Sequence, residues 1–207
     1  MHRWDWPGWT WKENITTYSR LEGQGHIQIN NFVEDYCRAG KIHDAEVSLR
    51  QEIRDTGWNV SDGSRVVTLL AGQLGFVLQF KRIWVEAQEL FLQVMETRKR
   101  VFGKDHPTTL NSMNAIAVSY RLNGQYQEAE ELGLRTLGVI KGADWLNDHA
   151  FAVVCMHNLA MTYNHKGKRG EAARLLREAL NLFQGRLGDN HHDILVLGAD
   201  LADILRK

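Results

Sequence analysis

The strongest constraint on the fold of this chain is a motif that returns every 42 or 43 residues. Its fixed centre is an alanine, which occurs in four copies as Ala45, Ala87, Ala129 and Ala172. Five residues before each alanine stand Gly40, Arg82, Gly124 and Gly167, and nine residues before it stand Tyr36, Leu78, Tyr120 and Tyr163. Three columns that keep one register over four copies indicate a repeat protein, in which each copy packs on its neighbours.

Each copy has the pattern of two helices joined by a short turn. In the third copy the first helix carries apolar residues at the amphipathic spacing i, i+3, i+4 and i+7, namely Met113, Ile116, Ala117 and Tyr120. Gly124 supplies the turn, because glycine accepts the positive φ that ends a helix. A second helix is predicted over residues 125–141, where Ala129 marks a helix crossing too close for a larger side chain.

The columns resemble those of the tetratricopeptide repeat, which has large, small, aromatic and alanine positions in this order. The basic unit of that family has about 34 residues, whereas the longer copies here are similar to the kinesin light chain type of repeat. Residues 103–110 (GKDHPTTL) resemble the loop before the first helix in that type, and weaker copies occur at residues 147–149 and 188–195. The resemblance implies an all-α, right-handed superhelical solenoid of about four helix-turn-helix repeats. Arrays of this repeat length are also similar to those attached to fungal signalling ATPases.

Two regions are expected along the chain: a tryptophan-rich cap or arm over residues 1–26 and a repeat domain over residues 27–207. The copies are expected at about 27–62, 63–105, 106–147 and 148–188, followed by a partial helix over 189–207. Leu78 and Arg82 replace the tyrosine and glycine of the other copies. We therefore expect a less regular turn in the second copy.

The resemblance implies that a concave face, lined by the first helices, holds a peptide or helical segment of a partner protein. The residues expected to line this groove are Asn30, Asn31, Gln73, Asn114, Arg121, His157, Asn158 and Asn164. Amides suit a peptide backbone because each offers both hydrogen-bond donors and an acceptor. In the alternative interpretation, these amides only tie adjacent helices together. Another class of tetratricopeptide repeat grips the C-terminal carboxylate of a chaperone with a clamp rich in lysine and arginine. The equivalent positions here contain no lysine, which disfavours that class of receptor.

Four of the seven tryptophans lie near the amino terminus, as Trp4, Trp6, Trp9 and Trp11. They can form a hydrophobic cap over the open end of the first copy. Alternatively, this segment docks into the groove of its own chain or of a second chain, which would give a homo-oligomer. A third interpretation is an aromatic wall around a small-molecule pocket.

The histidines do not predict a metal site. His106, His149 and His191 recur once per copy, so the repeat displaces them along the array and they cannot converge on one ion. They are expected at the starts of first helices, where Asp105, Asp148 or Asn190 caps free N–H groups and Pro107 occupies an early helical position.

The sequence lacks the features that indicate other classes of function. The sequence has no catalytic or phosphate-binding motif, and we expect no cofactor. The 25 basic and 25 acidic residues balance, which argues against nucleic-acid binding. No apolar stretch is long enough for a membrane span. The two distant cysteines, Cys37 and Cys155, favour a reducing cytoplasm.

The sequence therefore favours a protein-interaction scaffold that binds a peptide or helical segment. Two alternatives stay open: a small-molecule enzyme or receptor whose pocket the tryptophans close, and an oligomerisation or sensor segment of a larger signalling ATPase. The sequence leans against an enzyme without deciding the question.

Overall fold

The computed structural model describes residues 39–57, 65–142, 149–184 and 192–206, and these residues form α-helices joined by turns and loops. In chain order the helices are α1 (Ile42–Asp55), α2 (Arg65–Phe80), α3 (Trp84–Phe102), α4 (Pro107–Leu122), α5 (Tyr126–Gly142), α6 (His149–His165), α7 (Arg169–Gln184) and α8 (His192–Arg206). The described residues divide into two compact units, one within residues 39–139 and one within residues 140–206. In the first unit α1 packs on α2, α2 on α3 and α3 on α4, and in the second α6 packs on α7 and α7 on α8.

The alanine column lies at the centre of this packing. Ala45, Ala87 and Ala172 are fully buried, and Ala129 is 1% exposed. Each alanine lies near the start of the second helix of its copy, in α1, α3, α5 or α7. Their burial is what the predicted close helix crossings require.

A second close approach involves the first helix of the second copy. A Cβ atom added at Gly75 on α2 would lie 2.7 Å from Cε1 of Phe91 on α3. Phe91 is buried and also makes an edge contact with Phe76, with the ring centroids 5.1 Å apart. At the equivalent position the next two copies have Ala117 and Ala160, which are also small and buried.

The turns within the copies share one backbone conformation. The residue five before each alanine has a φ of 70° at Gly40, 62° at Arg82, 80° at Gly124 and 77° at Gly167. The prediction of a less regular second turn was therefore wrong. Arg82 N donates to Gln79 O and Ile83 N donates to Leu78 O, both at 2.9 Å, in the same pattern as the turns at Gly124 and Gly167. The packing of α2 on α3 imposes this turn even where the residue is not glycine.

Helix α4 begins with a cap that differs from the predicted one. His106, not Asp105, is the N-cap residue, and its Nδ1 accepts a hydrogen bond from Thr108 N at 3.3 Å. The imidazole also stacks on Phe102 with the ring centroids 4.9 Å apart. Pro107 occupies the first helical position, as expected. Asp148 and Asn190 lie outside the described residues.

Polar contacts join the second helices of successive copies. Glu46 on α1 accepts hydrogen bonds from Arg50 at 2.9 Å and from Lys81 at 2.5 Å. Arg50 also donates to Glu86 on α3 at 2.6 Å. Partial burial raises the pKa of Glu46, but the hydrogen bonds from Lys81 and Arg50 outweigh it and hold the pKa below its ordinary value. This cluster fixes α1 against α3 and the turn before it.

None of the described helices combines the length and the apolar character that crossing a membrane requires.

Replacing Gly75 with alanine should lower the free energy of unfolding by about 1–3 kcal/mol, because the new methyl group would overlap the buried ring of Phe91. Gly72→Ala is the matched control on the same helix, since no atom lies within 4 Å of its added Cβ. The control should be neutral or gain up to about 1 kcal/mol from helix propensity. Urea denaturation followed by circular dichroism measures both, and equal effects of the two substitutions would contradict the close approach.

Arg82→Gly should be more stable than Arg82→Ala by about 1 kcal/mol, because both remove the side chain and only glycine relieves the positive φ. Thermal and urea denaturation of the two variants provide the comparison. An alanine variant as stable as the glycine variant would show that this turn is not left-handed.

The Glu46 cluster should make stability sensitive to acid. Because the folded pKa of Glu46 is depressed, its stabilisation is present above the ordinary glutamate pKa of 4.5 and is lost as the pH falls through the lower folded value. Between neutral pH and pH values below 4.5, the natural chain should lose more stability than Glu46→Gln, which cannot titrate there. Parallel pH dependences of the two proteins would contradict this assignment.

Candidate functional site

The candidate site is the set of polar side chains predicted for the first helices. Of these, Asn30 and Asn31 lie outside the described residues, as do Trp4, Trp6, Trp9 and Trp11. The others lie on α2, α4 and α6, as Gln73, Asn114, Arg121, His157, Asn158 and Asn164. They fall into two groups, one in each compact unit.

In residues 28–139 the predicted side chains are buried rather than exposed. Gln73 on α2 and Asn114 on α4 are each at most 5% exposed, and Arg121 on α4 is 3% exposed. A guanidinium group keeps its positive charge in a protein, so Arg121 brings a fixed cation to an otherwise amide-rich surface. The three side chains together combine amide donors and acceptors with one fixed positive charge.

Two further amides belong to this group, although the predicted set did not include them. Gln79 stands one repeat before Arg121, and its Nε2 donates to the backbone oxygen of Ala115 on α4 at 3.4 Å. Its Oε1 is buried and has no hydrogen-bond partner within the part of the chain that the structure describes. Asn111 on α4 likewise has a buried Oδ1 without a partner among those residues. The register with Arg121 was the signal that could have included Gln79.

The hydrogen bond of Gln79 bears on both interpretations of the amides, namely that they join adjacent helices and that they bind a peptide. Its donor ties α2 to α4, as expected if these amides join adjacent helices. Its acceptor is buried and has no partner among the described residues, so the hydrogen-bonding capacity of the amide is only half used there. A buried acceptor without a partner costs about 1–3 kcal/mol. A ligand that supplies an N–H group would remove that cost.

Gly72 leaves space beside these amides. It precedes Gln73 on α2, and a Cβ atom built on it would meet no atom within 4 Å. Asn114 stands at the equivalent position of the next copy. A small side chain at position 72 would therefore meet no neighbour within contact distance, although Gly72 itself is buried.

In residues 140–207 one of the predicted side chains, His157, connects two helices of the same unit. His157 on α6 is buried, and its Nε2 lies 2.8 Å from Oδ2 of Asp200 on α8. Asn158 is also buried, while Asn164 is half-buried near the end of α6. The contact between His157 and Asp200 orients α8 on α6, so at least this residue contributes to packing between successive copies.

Cys155 on α6 is a free cysteine with a buried side chain. Burial raises the pKa of the Cys155 thiol well above its usual range, which keeps the sulfur protonated and unreactive. Within the described ranges, no three histidine, cysteine or acidic side chains are grouped to hold a metal ion.

Comparisons with known proteins agree with this architecture. Sequence profiles of the tetratricopeptide repeat match residues 66–141 and 153–193. A solved structure of nearly identical TPR-like repeats, from a Podospora anserina protein described as a kinesin light chain, is 24% identical. It covers 85% of this chain and 83% of its own, with a TM-score of 0.69. A single-substitution variant of that protein is 23% identical, with coverages of 85% and 82% and a TM-score of 0.71.

A third similar structure is BtubC (BKLC) from P. vanneervenii, which is 17% identical. The alignment covers 86% of this chain and 72% of that one, with a TM-score of 0.67. Among curated proteins, none matches this sequence.

The two profile matches together span more than half of the chain. The all-α helical-repeat fold predicted from the columns is confirmed. Repeats of this family generally mediate protein interactions, so the chain is a helical-repeat scaffold. The chain belongs to the tetratricopeptide repeat family.

Proposed function

We propose that this scaffold binds an extended peptide segment of a partner protein along the first-helix surface of residues 28–139. We call this surface the amide face and define it by Gln73, Gln79, Asn111, Asn114 and Arg121. The peptide main chain bonds to the amides, and a peptide carboxylate lies near Arg121. The ligand of the scaffold is thus a peptide segment of another protein.

The observation that carries the proposal is the pair of buried acceptors on this face, Gln79 Oε1 and Asn111 Oδ1, which lack partners among the described residues. A peptide in extended conformation has unpaired N–H and C=O groups along its whole length. Main-chain N–H groups of the peptide would donate hydrogen bonds to both acceptors. Because a buried acceptor without a donor is unfavourable, forming these bonds would favour binding of the peptide. The room beside Gly72 suits a main chain that approaches the α2 backbone closely.

The charge of the chain favours a peptide over a nucleic acid. Basic and acidic residues are equal in number, at 25 each. Nucleic-acid binding depends on several Lys and Arg contacts to phosphates, whereas the amide face contains one cation, Arg121. A single guanidinium fits one acidic side chain or a terminal carboxylate.

The experiment begins with peptides selected from a random displayed library on the full chain, whose affinity is then measured by fluorescence anisotropy. The double variant Gln79→Met, Asn111→Leu keeps the side-chain volumes and removes both acceptors. Its affinity for the selected peptides should fall by roughly tenfold or more, since each lost acceptor is worth about 1 kcal/mol or more. Gln93→Met is the matched control, because Gln93 is an exposed amide on α3.

A second pair of variants tests the space beside Gly72. Gly72→Leu should fill this space and weaken peptide binding. Gly138→Leu on α5 is the control, since a Cβ atom added at Gly138 also meets no atom within 4 Å but Gly138 lies off the amide face. The control substitution should leave peptide binding unchanged. Circular dichroism and thermal denaturation establish that the variants remain folded. Undiminished affinity of the folded double variant, or equal effects of the two glycine substitutions, would contradict binding at the amide face.

A further inference from the structure

Helix α4 is capped by the imidazole of the residue that precedes it. Nδ1 of His106 accepts a hydrogen bond from Thr108 N at 3.3 Å, and Thr108 Oγ1 lies 2.8 Å from the same nitrogen. A backbone N–H group can only donate, so the contact requires an Nδ1 atom without a proton. The cap therefore exists only with the neutral imidazole, whose single proton is then on Nε2.

The ring of His106 is held in this position by its neighbours. It stacks on Phe102 with the ring centroids 4.9 Å apart and an angle of 22° between the planes. Pro107 follows directly, and its own ring restricts the backbone to the φ of a first helical residue. A proton added to Nδ1 would therefore lie against the Thr108 N–H group.

The surroundings of this cap are positive. Free N–H groups give the start of a helix a partial positive charge, and the first turn of α4 contains no acidic residue. From α3, which packs on α4, the buried Arg98 donates to Ser112 Oγ at 2.8 Å and to Thr108 O at 3.5 Å. A positive imidazole and this guanidinium would then contact the same residue, Thr108.

The other charged side chains next to the cap are exposed to solvent. Among the described residues they lie in the last turn of α3 and in the loop before α4, as Lys99, Arg100, Lys104 and Asp105. Three of these four side chains are basic, and solvent screens the single carboxylate. The described charges around His106 therefore disfavour the protonated imidazole.

We propose that His106 is a pH-sensitive switch at the start of α4, in which protonation of the imidazole removes the cap and opens the first turn of the helix. The new N–H group can still donate to Thr108 Oγ1, but Thr108 N loses its acceptor. The folded chain thus binds this proton less readily than the unfolded chain. The cap therefore stabilises α4 above the ordinary histidine pKa of about 6.5 and is lost as the pH falls below it. Asn111 of the amide face follows this turn on α4, although the proposal does not depend on peptide binding.

Amide hydrogen exchange of the full chain, resolved by residue with NMR, measures the opening of this turn. Exchange rates are converted to protection factors, which removes the intrinsic effect of pH on exchange. In the natural chain the protection of Thr108, Thr109 and Leu110 should fall by roughly fivefold between about pH 7.5 and about pH 5.5, a typical effect of losing a helix N-cap. Thr109 N and Leu110 N both bond to His106 O, so they report on the same turn. The amide of Ala129 on α5 is the internal reference and should keep its protection.

The variant His106→Asn separates the proton from the cap. Asparagine is among the best N-cap residues and does not titrate, so this variant should keep the protection of the α4 turn at both pH values. His43→Asn is the matched control, because His43 is an exposed imidazole on α1 and its loss should leave the pH dependence of α4 unchanged. Circular dichroism establishes that both variants remain folded.

The chemical shifts of the two ring nitrogens of His106 show directly which of them carries the proton. At about pH 7.5 the proton should be on Nε2, and a proton on Nδ1 would overturn the proposal. Constant protection of the α4 turn in the natural chain would also overturn it. So would an equal loss of protection in His106→Asn, or a pH dependence that His43→Asn abolishes.

Discussion

The structure depends on the close crossing of the two helices within each copy. That crossing is possible only where one helix presents a very small residue, such as the buried Ala87 and Ala172 or Gly75 against the Phe91 ring. Because protein interiors are packed without free volume, a single methyl group at such a point must displace a neighbour. The spacing of small residues along the sequence therefore fixes where the helices meet, and the other columns follow from that register.

Much of the fold could be predicted from the sequence because its determinants are local. Alanine at a crossing and glycine at a left-handed turn act through sterics within a few residues, and both repeat at one period. Arg82 was misjudged because its intrinsic preference opposes a positive φ, whereas the packing of the flanking helices imposes it. His106 was missed as a cap because the role of its ring depends on the stacking partner Phe102.

The candidate site was less predictable. Register located the polar columns, but whether a side chain faces a ligand or a neighbouring helix depends on distances that the sequence does not contain. His157 contacts Asp200, and Gln79 divides its amide between the Ala115 carbonyl and an acceptor without a partner among the described residues. Side chains in these columns thus contribute to packing between successive copies.

A crystal structure of the full chain with a selected peptide bound would test the functional account most directly. The account predicts an extended main chain along α2 and α4, with its N–H groups within hydrogen-bonding distance of Gln79 Oε1 and Asn111 Oδ1. A carboxylate of the peptide should lie close to the Arg121 guanidinium. A peptide bound on the second helices, or one that leaves both acceptors without a donor, would contradict the assignment of the amide face as the binding surface.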